Sequence, residues 1–107
     1  MTYDDFDKLD LRVGHVLSAA KVPRKDKLLD LRVDLGEAEP RRIVAGLALS
    51  FTPEQLVGKR VVVVANLAPR DFGKGLVSHG MLLAAGPSED LRLVAVPDGP
   101  PPGTPVK

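Results

Sequence analysis

The sequence predicts an all-β fold, a small barrel or sandwich with one short internal helix. Five or six apolar segments of strand length alternate with turns that contain Gly or Pro, and no βαβ rhythm is present. The one clear helix falls between the third and fourth strands. That placement matches a five-stranded OB barrel, which we therefore predict, with terminal extensions at residues 1–10 and 86–107.

The first half of the chain predicts an N-terminal turn and three strands. Thr2 is suited to cap one or two helical turns whose first turn is acidic. Residues 10–22 are rich in β-branched side chains, and Gly14 among them indicates a bulge or a tight bend. Residues 28–36 alternate apolar and charged side chains, as a half-buried antiparallel strand does. Residues 42–49 form the third predicted strand.

The second half opens with the strongest local signal, TPEQLVG at residues 52–58. Its Thr, Pro and Gln suit the N-cap, first and third helical positions, and its Gly ends the helix. Residues 59–69 follow as a nearly continuous apolar strand, and residues 70–80 are predicted to be a long Gly-rich loop. Strands are then predicted at residues 81–85 and 91–96.

Length and composition favour one soluble domain. A chain of 107 residues is one domain by length, and without Cys it has neither a disulfide framework nor a thiolate metal site. No apolar run is long enough to span a bilayer, and the N-terminus is acidic where a signal peptide is basic. We therefore expect a cytoplasmic protein that makes no membrane contact, and a free-standing chain rather than a fragment.

Charge is unevenly distributed although the net charge is only +1. Residues 11–80 carry 12 Lys and Arg against 7 Asp and Glu, whereas the two ends are acidic. This asymmetry is typical of a protein with an anionic partner for its middle. An ordinary solvated surface explains it about as well.

Catalysis has little support in the sequence. The two histidines, His15 and His79, have no evident orienting acid, and no Ser lies in a nucleophile-elbow context. Two histidines alone are also a weak indication of a metal site. We predict a non-catalytic protein without metal or cofactor.

The basic residues cluster in or beside predicted loops. Arg70, Lys74 and His79 lie within ten residues of one another in the Gly-rich loop. Backbone amides and hydroxyl groups of this loop could also bind a phosphate. The other clusters are Arg24, Lys25 and Lys27, and Arg41 and Arg42. Aromatic residues make up only 4% of the chain, too few for a base-stacking platform, and Phe72 alone lies on a candidate loop. A nucleic-acid partner would therefore be recognised by its folded shape.

Four spaced stretches carry a family resemblance: DLRVGHVLSAAKVPRKDKLLDLRVDLG, RRIVAGLA, FTPEQLVGKRVVVVANLAPR and SHGMLLAA. In these, and over nearly its whole length, the chain resembles the tRNA-binding domain family. That family includes free-standing dimeric tRNA-binding proteins, the C-terminal domain of methionyl-tRNA synthetases and CsaA-type export chaperones. The resemblance implies an OB barrel that binds the outer corner of the L-shaped tRNA without strong sequence preference.

The resemblance also implies where tRNA would bind. Ser78, Gly80 and Met81 match a Ser-x-Gly-Met stretch that borders the tRNA surface: the hydroxyl would contact backbone or ribose, and the glycine would permit close approach. A structural corner is the rival interpretation of Ser78. Asn66 matches the family's Asn-Leu-x-Pro and would brace the loop. The complete candidate site is Lys27, Arg32, Arg42, Asn66, Arg70, Lys74, Ser78, His79, Gly80 and Met81.

The chain departs from the family pattern at several positions. Ser, Lys, Glu and Gln are frequent in the family where this chain has Ala45, Ala68, Val77 and His79. The segment between Pro69 and Ser78 is also one residue longer than is usual. These departures make the predicted RNA surface less typical, and Lys74 or His79 is a candidate to replace the missing lysine.

The predicted function is non-catalytic, structure-selective tRNA binding by a homodimer. The resemblance implies that the terminal segments join the two copies, and these contain the apolar residues Phe6, Leu9, Val94 and Val96. The alternative is a CsaA-type export chaperone that binds unfolded polypeptide, although VAGLA stands where that subfamily has Ser-Ala-Gln. A docking module for an aminoacyl-tRNA synthetase remains a third interpretation.

Overall fold

The computed structural model describes all residues from Met1 to Lys107. Its elements in chain order are α1 (Tyr3–Asp7), β1 (Leu11–Lys21), β2 (Leu29–Asp34), β3 (Arg41–Ala45), α2 (Pro53–Leu56), β4 (Arg60–Val64), β5 (Arg70–Asp71), β6 (Val77–Ser78), β7 (Met81–Leu82), β8 (Ala84–Ala85) and β9 (Arg92–Leu93). Neither helix has the length and apolar character needed to cross a membrane.

Five strands form one antiparallel sheet that curls into a nearly closed barrel. The strand order is β3-β2-β1-β4-β7, and α2 lies in the chain between β3 and β4. The open edge of β3 meets the segment just before β7, where the His79 amide donates to the Arg42 carbonyl at 2.9 Å. The predicted all-β, five-stranded OB barrel with its short helix between strands 3 and 4 is therefore confirmed.

The alternating second strand supplies the centre of the core. Leu29, Leu31 and Val33 are fully buried inside the barrel, because every second side chain of a strand points to the same face. The β4 strand is continuously apolar for a different reason, since both of its faces are covered. Val61 and Val63 point into the barrel core. A second cluster on the outer face consists of Leu11, Val62 and Val64, covered by Phe6, Leu83, Val96 and Val106.

Gly14 has a role other than the predicted bulge. A Cβ atom at this position would lie 2.7 Å from Val33 Cγ1 and 2.9 Å from Val63 Cγ2, so the glycine permits close packing inside the barrel. The register shift in the pairing of β1 with β2 lies instead between Val16 and Ser18. The bulge is therefore not at Gly14, because a glycine in a strand also occurs where other atoms approach closely, and the sequence alone does not distinguish the two causes.

Both predicted helix starts are present. Thr2 Oγ1 accepts from the Asp5 amide at 3.2 Å, and the Asp5 carboxylate accepts from the Thr2 amide at 3.1 Å. In α2, the Gln55 side chain accepts from the Thr52 amide at 2.8 Å. Gly58 follows this helix in the left-handed region, with φ +87°.

The strand predictions after residue 69 need correction. Residues 70–80 are not one loop, because β5 and β6 pair as a short hairpin across them. Residues 81–85 form two strands rather than one, since the chain leaves β4 after Leu82 and pairs with β9 instead. Leu83 marks this change: its amide still donates to the Val62 carbonyl, while its own carbonyl accepts from the Val94 amide.

The C-terminal tail lies on the barrel of its own chain. Residues 103–106 run antiparallel to the start of β1, and the amides of Gly103 and Val106 donate to Val13 and Leu11 at 2.8 Å. Gly36 makes the crossing possible, because a Cβ there would lie 2.6 Å from the Pro102 carbonyl oxygen. The extension is thus part of the barrel's hydrogen bonding.

Candidate nucleic-acid interface

An open groove of about 620 Å³ lies beside the seam where the barrel nearly closes. The end of β3 and the following turn form one side, and the hairpin of β5 and β6 with its preceding loop forms the other. Ten of its 14 lining residues are hydrophobic. Leu67 and Met81 line it and are 44% and 47% exposed, so the groove presents apolar surface to solvent.

A cation–π contact stands at the hairpin side of the groove. The Arg70 guanidinium carbon lies 4.5 Å from the centre of the Phe72 ring, and both residues line the groove. Such contacts are favourable because the ring face carries negative charge. Arg70 takes part in no ion pair, so its charge is not neutralised by a carboxylate.

Five exposed cations, which we call the cation rim, occupy two segments beside this groove: the loop between β1 and β2, and the hairpin of β5 and β6, whose first strand begins at Arg70. They are Arg24, Lys25, Lys27, Arg70 and Lys74, and none forms an ion pair. The loops approach each other, because Lys25 Nζ lies 3.8 Å from where a Cβ on Gly73 would be. Only two carboxylates share these loops, those of Asp26 and Asp71. The rim is therefore a local excess of positive charge.

Arg32 and Arg42, also predicted to bind RNA, are engaged with a carboxylate. Arg42 bonds both oxygens of Asp30, at 3.1 and 2.9 Å, and Arg32 bonds the same carboxylate at 2.9 Å. The hydrogen bond from Arg42 holds the pKa of Asp30 below its usual range. The two arginines share this anion, so a phosphate would compete with Asp30 for them.

Arg41 fixes the backbone on both sides of the seam. Its guanidinium donates to the Ala65 carbonyl at 2.6 Å and to the His79 carbonyl at 3.1 Å. Glu37 holds it in place through two further bonds of 2.8 Å, and the hydrogen bond from Arg41 lowers the pKa of Glu37. Arg41 therefore positions the segments that carry Leu67 and Met81.

Ser78 is buried, and its hydroxyl is used inside the barrel. Only 3% of the residue is exposed. The oxygen accepts from the Val44 amide at 2.9 Å, and the hydroxyl donates to the Gly80 carbonyl at 2.9 Å. The single hydroxyl hydrogen and one of the two lone pairs are thus used inside the barrel, which favours the structural-corner interpretation. The contact of Ser78 with RNA stays a prediction.

The remaining predicted residues divide between the groove and other positions. Gly80 and Met81 line the groove, and the exposed side chain of His79 lies next to them in the chain. Asn66 instead joins the N-terminal segment to the barrel, accepting from the Asp10 amide at 2.9 Å and donating to the Lys8 carbonyl at 2.7 Å. Its predicted bracing role thus applies to the chain before β1.

Several groove residues were outside the predicted site. Leu67 and Phe72 line the groove but are not among the predicted site residues. Leu67 directly follows the predicted Asn66, and in the sequence Phe72 is notable only as an aromatic residue on a candidate loop. Lys25 and Arg24 belong to a basic cluster that the sequence shows plainly, and they join Lys27 in the cation rim. Lys25 and Arg24 could have been identified from the sequence by the clustering of basic residues, because both rim segments contain more cations than carboxylates.

No three His, Cys, Asp or Glu side chains come together as potential ligands of a metal ion. Every buried side-chain nitrogen and oxygen has a hydrogen-bond partner. What the site offers chemically is an apolar surface with unneutralised cations around it, an arrangement suited to holding an anionic ligand.

Comparison with known proteins matches the chain over residues 11–105 to the family model described as "Putative tRNA binding domain". The methionine–tRNA ligase of Thermotoga maritima is 55% identical over 96 residues, which are 90% of this chain and 15% of the ligase. The ligase of Myxococcus xanthus is 53% identical over 105 residues, again 15% of its length. The chain thus spans about a seventh of these curated relatives.

Two solved structures resemble the chain over its full length. The MetRS-related protein from Pyrococcus horikoshii is 40% identical with a TM-score of 0.90, and 97% of that chain is covered. The chaperone CsaA from Bacillus anthracis is 30% identical with a TM-score of 0.86, and 98% of it is covered.

Proposed function

Because the chain belongs to the tRNA-binding domain family, we propose that it binds tRNA without catalysing a reaction, as a homodimer that recognises the outer corner of the folded RNA. The observation that carries this proposal is the cation rim beside the groove, in a chain matched to the family over residues 11–105. Phosphates are the groups that unpaired Lys and Arg side chains bind most readily in RNA. The place of action we propose is the cytoplasm.

Recognition of shape fits the distribution of side chains. The rim cations lie on two loops that approach each other, so their charges can act together on one RNA backbone. Contacts of this kind fix the position of an RNA backbone and carry no sequence information directly. The proposed binding is therefore selective for the fold of tRNA rather than for a particular tRNA.

The proposed homodimer uses the face formed by the terminal segments. Phe6 and Val96 are packed against the chain's own outer cluster, so they are less free than the sequence led us to expect. Leu9 and Val94 remain 44% and 41% exposed, and Tyr3 is 72% exposed. These three residues are the apolar groups that a second copy would cover.

A synthetase is the partner that we propose beyond tRNA. The curated relatives named above are methionine–tRNA ligases, in which the matched part is a small fraction of the length. A tRNA-binding module raises the local concentration of tRNA for an enzyme to which it is joined or docked. This chain would raise the local concentration of tRNA for a synthetase in the same way, whether the two are joined covalently or associate as separate chains.

Titration with fluorescent tRNA tests the proposal. We expect saturable binding whose affinity falls as salt rises from about 50 to 200 mM, with a log–log slope of roughly −0.7 to −0.9 for each phosphate contact. A hairpin duplex of equal charge serves as the control and should bind more weakly. Affinity for tRNA that is absent, or that does not respond to salt, would contradict the proposal.

Dimer formation is tested by light scattering. The mass in solution should be twice the 11.4 kDa of one chain. The double substitution Leu9→Asp/Val94→Asp should halve it, because charges replace exposed apolar groups, whereas Leu17→Asp on another exposed face should not. A parent mass of one chain would exclude the homodimer.

Polypeptide binding is the second candidate function. Two observations favour it: the likeness to a CsaA chaperone and the exposed apolar lining of the groove. An unfolded, carboxymethylated protein used as a competitor against labelled tRNA distinguishes the two. Under the main proposal it leaves tRNA binding unchanged, whereas a chaperone would bind the polypeptide more tightly than tRNA.

A further inference from the structure

We propose that the groove binds one unstacked nucleobase of the RNA while the cation rim binds the adjoining phosphates. This inference rests on the proposed tRNA binding and adds a ligand class to the same face of the molecule. It differs from recognition of shape alone, because a flat apolar group must leave the RNA stack and enter the groove.

The apolar lining is the first argument. Phosphate and ribose contacts require cations and hydrogen-bonding groups, yet ten of the 14 groove residues are hydrophobic. A volume of about 620 Å³ lies within the range of ligand pockets, roughly 300 to 1,000 Å³. A duplex is too wide to enter such a groove, whereas a single base extends from its backbone as a flat side group.

The second argument is the planar surface at the hairpin side. Phe72 offers an aromatic ring, and Arg70 packs over that ring at 4.5 Å. Aromatic rings and guanidinium planes are the two side-chain surfaces on which unpaired RNA bases stack. Both residues line the groove, so a base within it would lie against this stacked pair.

Gly46 leaves bare backbone in the lining of the groove. A Cβ at this position would have only the Lys27 carbonyl oxygen within 4 Å, so no side chain fills this part of the groove. Gly80 also lines the groove, but a Cβ there would meet Ile43 Cδ1 and Val63 Cγ1 at 3.3 Å and so face the barrel core.

Charge favours a nucleotide over a polypeptide as the occupant. The rim carries five cations without an ion pair, one of which, Arg70, lines the apolar groove, and a nucleotide joins an anion to a flat, largely apolar group. An average unfolded polypeptide carries no such regular negative charge. A polypeptide occupant is therefore an outcome that the test must be able to reveal.

Two groove variants with matched controls test the inference. Phe72→Leu keeps an apolar side chain and removes the ring, and Phe51→Leu removes an equally half-buried ring that does not line the groove. Ala68→Trp fills the groove without changing charge, and Ala38→Trp adds the same bulk on an exposed turn. Each groove variant should weaken tRNA binding by about 5- to 100-fold, the range for loss of one stacked base, with an unchanged salt slope. The controls should bind as the parent does.

A uridine octamer, compared with a blunt RNA duplex of equal charge, separates the inference from the function on which it rests. We expect the octamer to bind the parent more tightly than the duplex does, and Ala68→Trp to abolish that preference. If tRNA binds the parent and both groove variants equally, the base site is excluded while tRNA binding stands. If the parent binds the octamer and no tRNA, the proposed function falls and the groove site remains. Capture of carboxymethylated polypeptide but not of octamer, lost in Ala68→Trp, would assign the groove to polypeptide and overturn the inference.

Discussion

Two sets of five positively charged residues in this molecule differ in burial and in whether they form ion pairs. The first set lies in the barrel wall, is half-buried and is paired with carboxylates: Arg12, Arg32, Arg41, Arg42 and Arg60. The second set is the cation rim, which is exposed and unpaired. A count of charges treats both sets alike. The wall cations bond carboxylates and backbone carbonyls of the barrel, whereas the rim cations form no ion pair, and we propose that the rim is the part that meets an anionic partner.

The largest expected effect tests the wall. Arg41→Ala removes the bonds to Glu37 and to the carbonyls of Ala65 and His79, so the unfolding free energy should fall by about 2 to 3 kcal/mol. Urea unfolding followed by circular dichroism measures it. Arg92→Ala is the control, because the Arg92–Asp90 pair is largely exposed and should matter little. Equal losses in the two variants would contradict the structural role assigned to Arg41.

Ser78→Ala should have the next largest effect, and on stability rather than on binding. The Val44 amide is left without its acceptor in the seam, which costs about 1 to 2 kcal/mol. Thermal unfolding measures this loss, and tRNA affinity per folded molecule should remain that of the parent. Ser18→Ala, on an exposed part of β1, is the matched control. A variant that keeps full stability but binds tRNA more weakly would restore the RNA-contact interpretation.

The rim should behave in the opposite way. Lys27→Ala/Lys74→Ala should lower tRNA affinity about tenfold and reduce the salt slope by roughly 1.4 to 1.8, the contribution of two phosphate contacts. Its unfolding free energy should stay within about 0.5 kcal/mol of the parent, because neither side chain forms an ion pair. The equally charged control is Lys59→Ala/Lys107→Ala, two unpaired lysines elsewhere. If both doubles lost affinity alike, the rim would have no special role.

The smallest expected effect is a pH dependence of the wall. Arginine hydrogen bonds lower the pKa of Asp30 and of Glu37 in the folded chain, so folding favours their charged forms. That stabilisation is present above the ordinary carboxyl pKa of about 4 and is lost as pH falls through the lowered values. The loss should be below about 1 kcal/mol per pair, since the groups are partly exposed. Asp30→Asn should flatten the acid limb of unfolding free energy against pH, and an unaltered limb would contradict this.

Local patterns made the fold largely predictable. The alternation in β2, the capping residues of α2 and the apolar run of β4 each determine an element from neighbouring residues alone. The break between Leu82 and Ala84 was missed because it depends on which distant strand offers a free edge. The packing role of Gly14 was not predicted for a related reason. The side-chain atoms that lie close to this glycine belong to β2 and β4, which are distant in the sequence.

The candidate site was less predictable than the fold. Arg42 and Lys74 look equivalent in the sequence, but Asp30 pairs with Arg42 across two strands and nothing pairs with Lys74. The sequence does place Asp30 and Arg32 on the polar face of β2, where they alternate with core residues. It therefore indicates a carboxylate near these arginines but not that Asp30 pairs with Arg42. Ser78 was identified by its motif, and its burial depends on how the seam meets β3. Pairing and burial are relations between segments, which a linear pattern does not contain.

The antiparallel tail gives the molecule a mechanical weak point. Val106 pairs with Leu11 and Thr104 with Val13, so the two ends of the chain leave this ladder on the same side. A pull between the ends therefore loads the hydrogen bonds one after another, beginning at Val106, instead of shearing them together. Under tension the tail should peel from β1 at low force while β2 and β3 stay paired. A load carried through both termini would thus lengthen the chain before it opened the barrel.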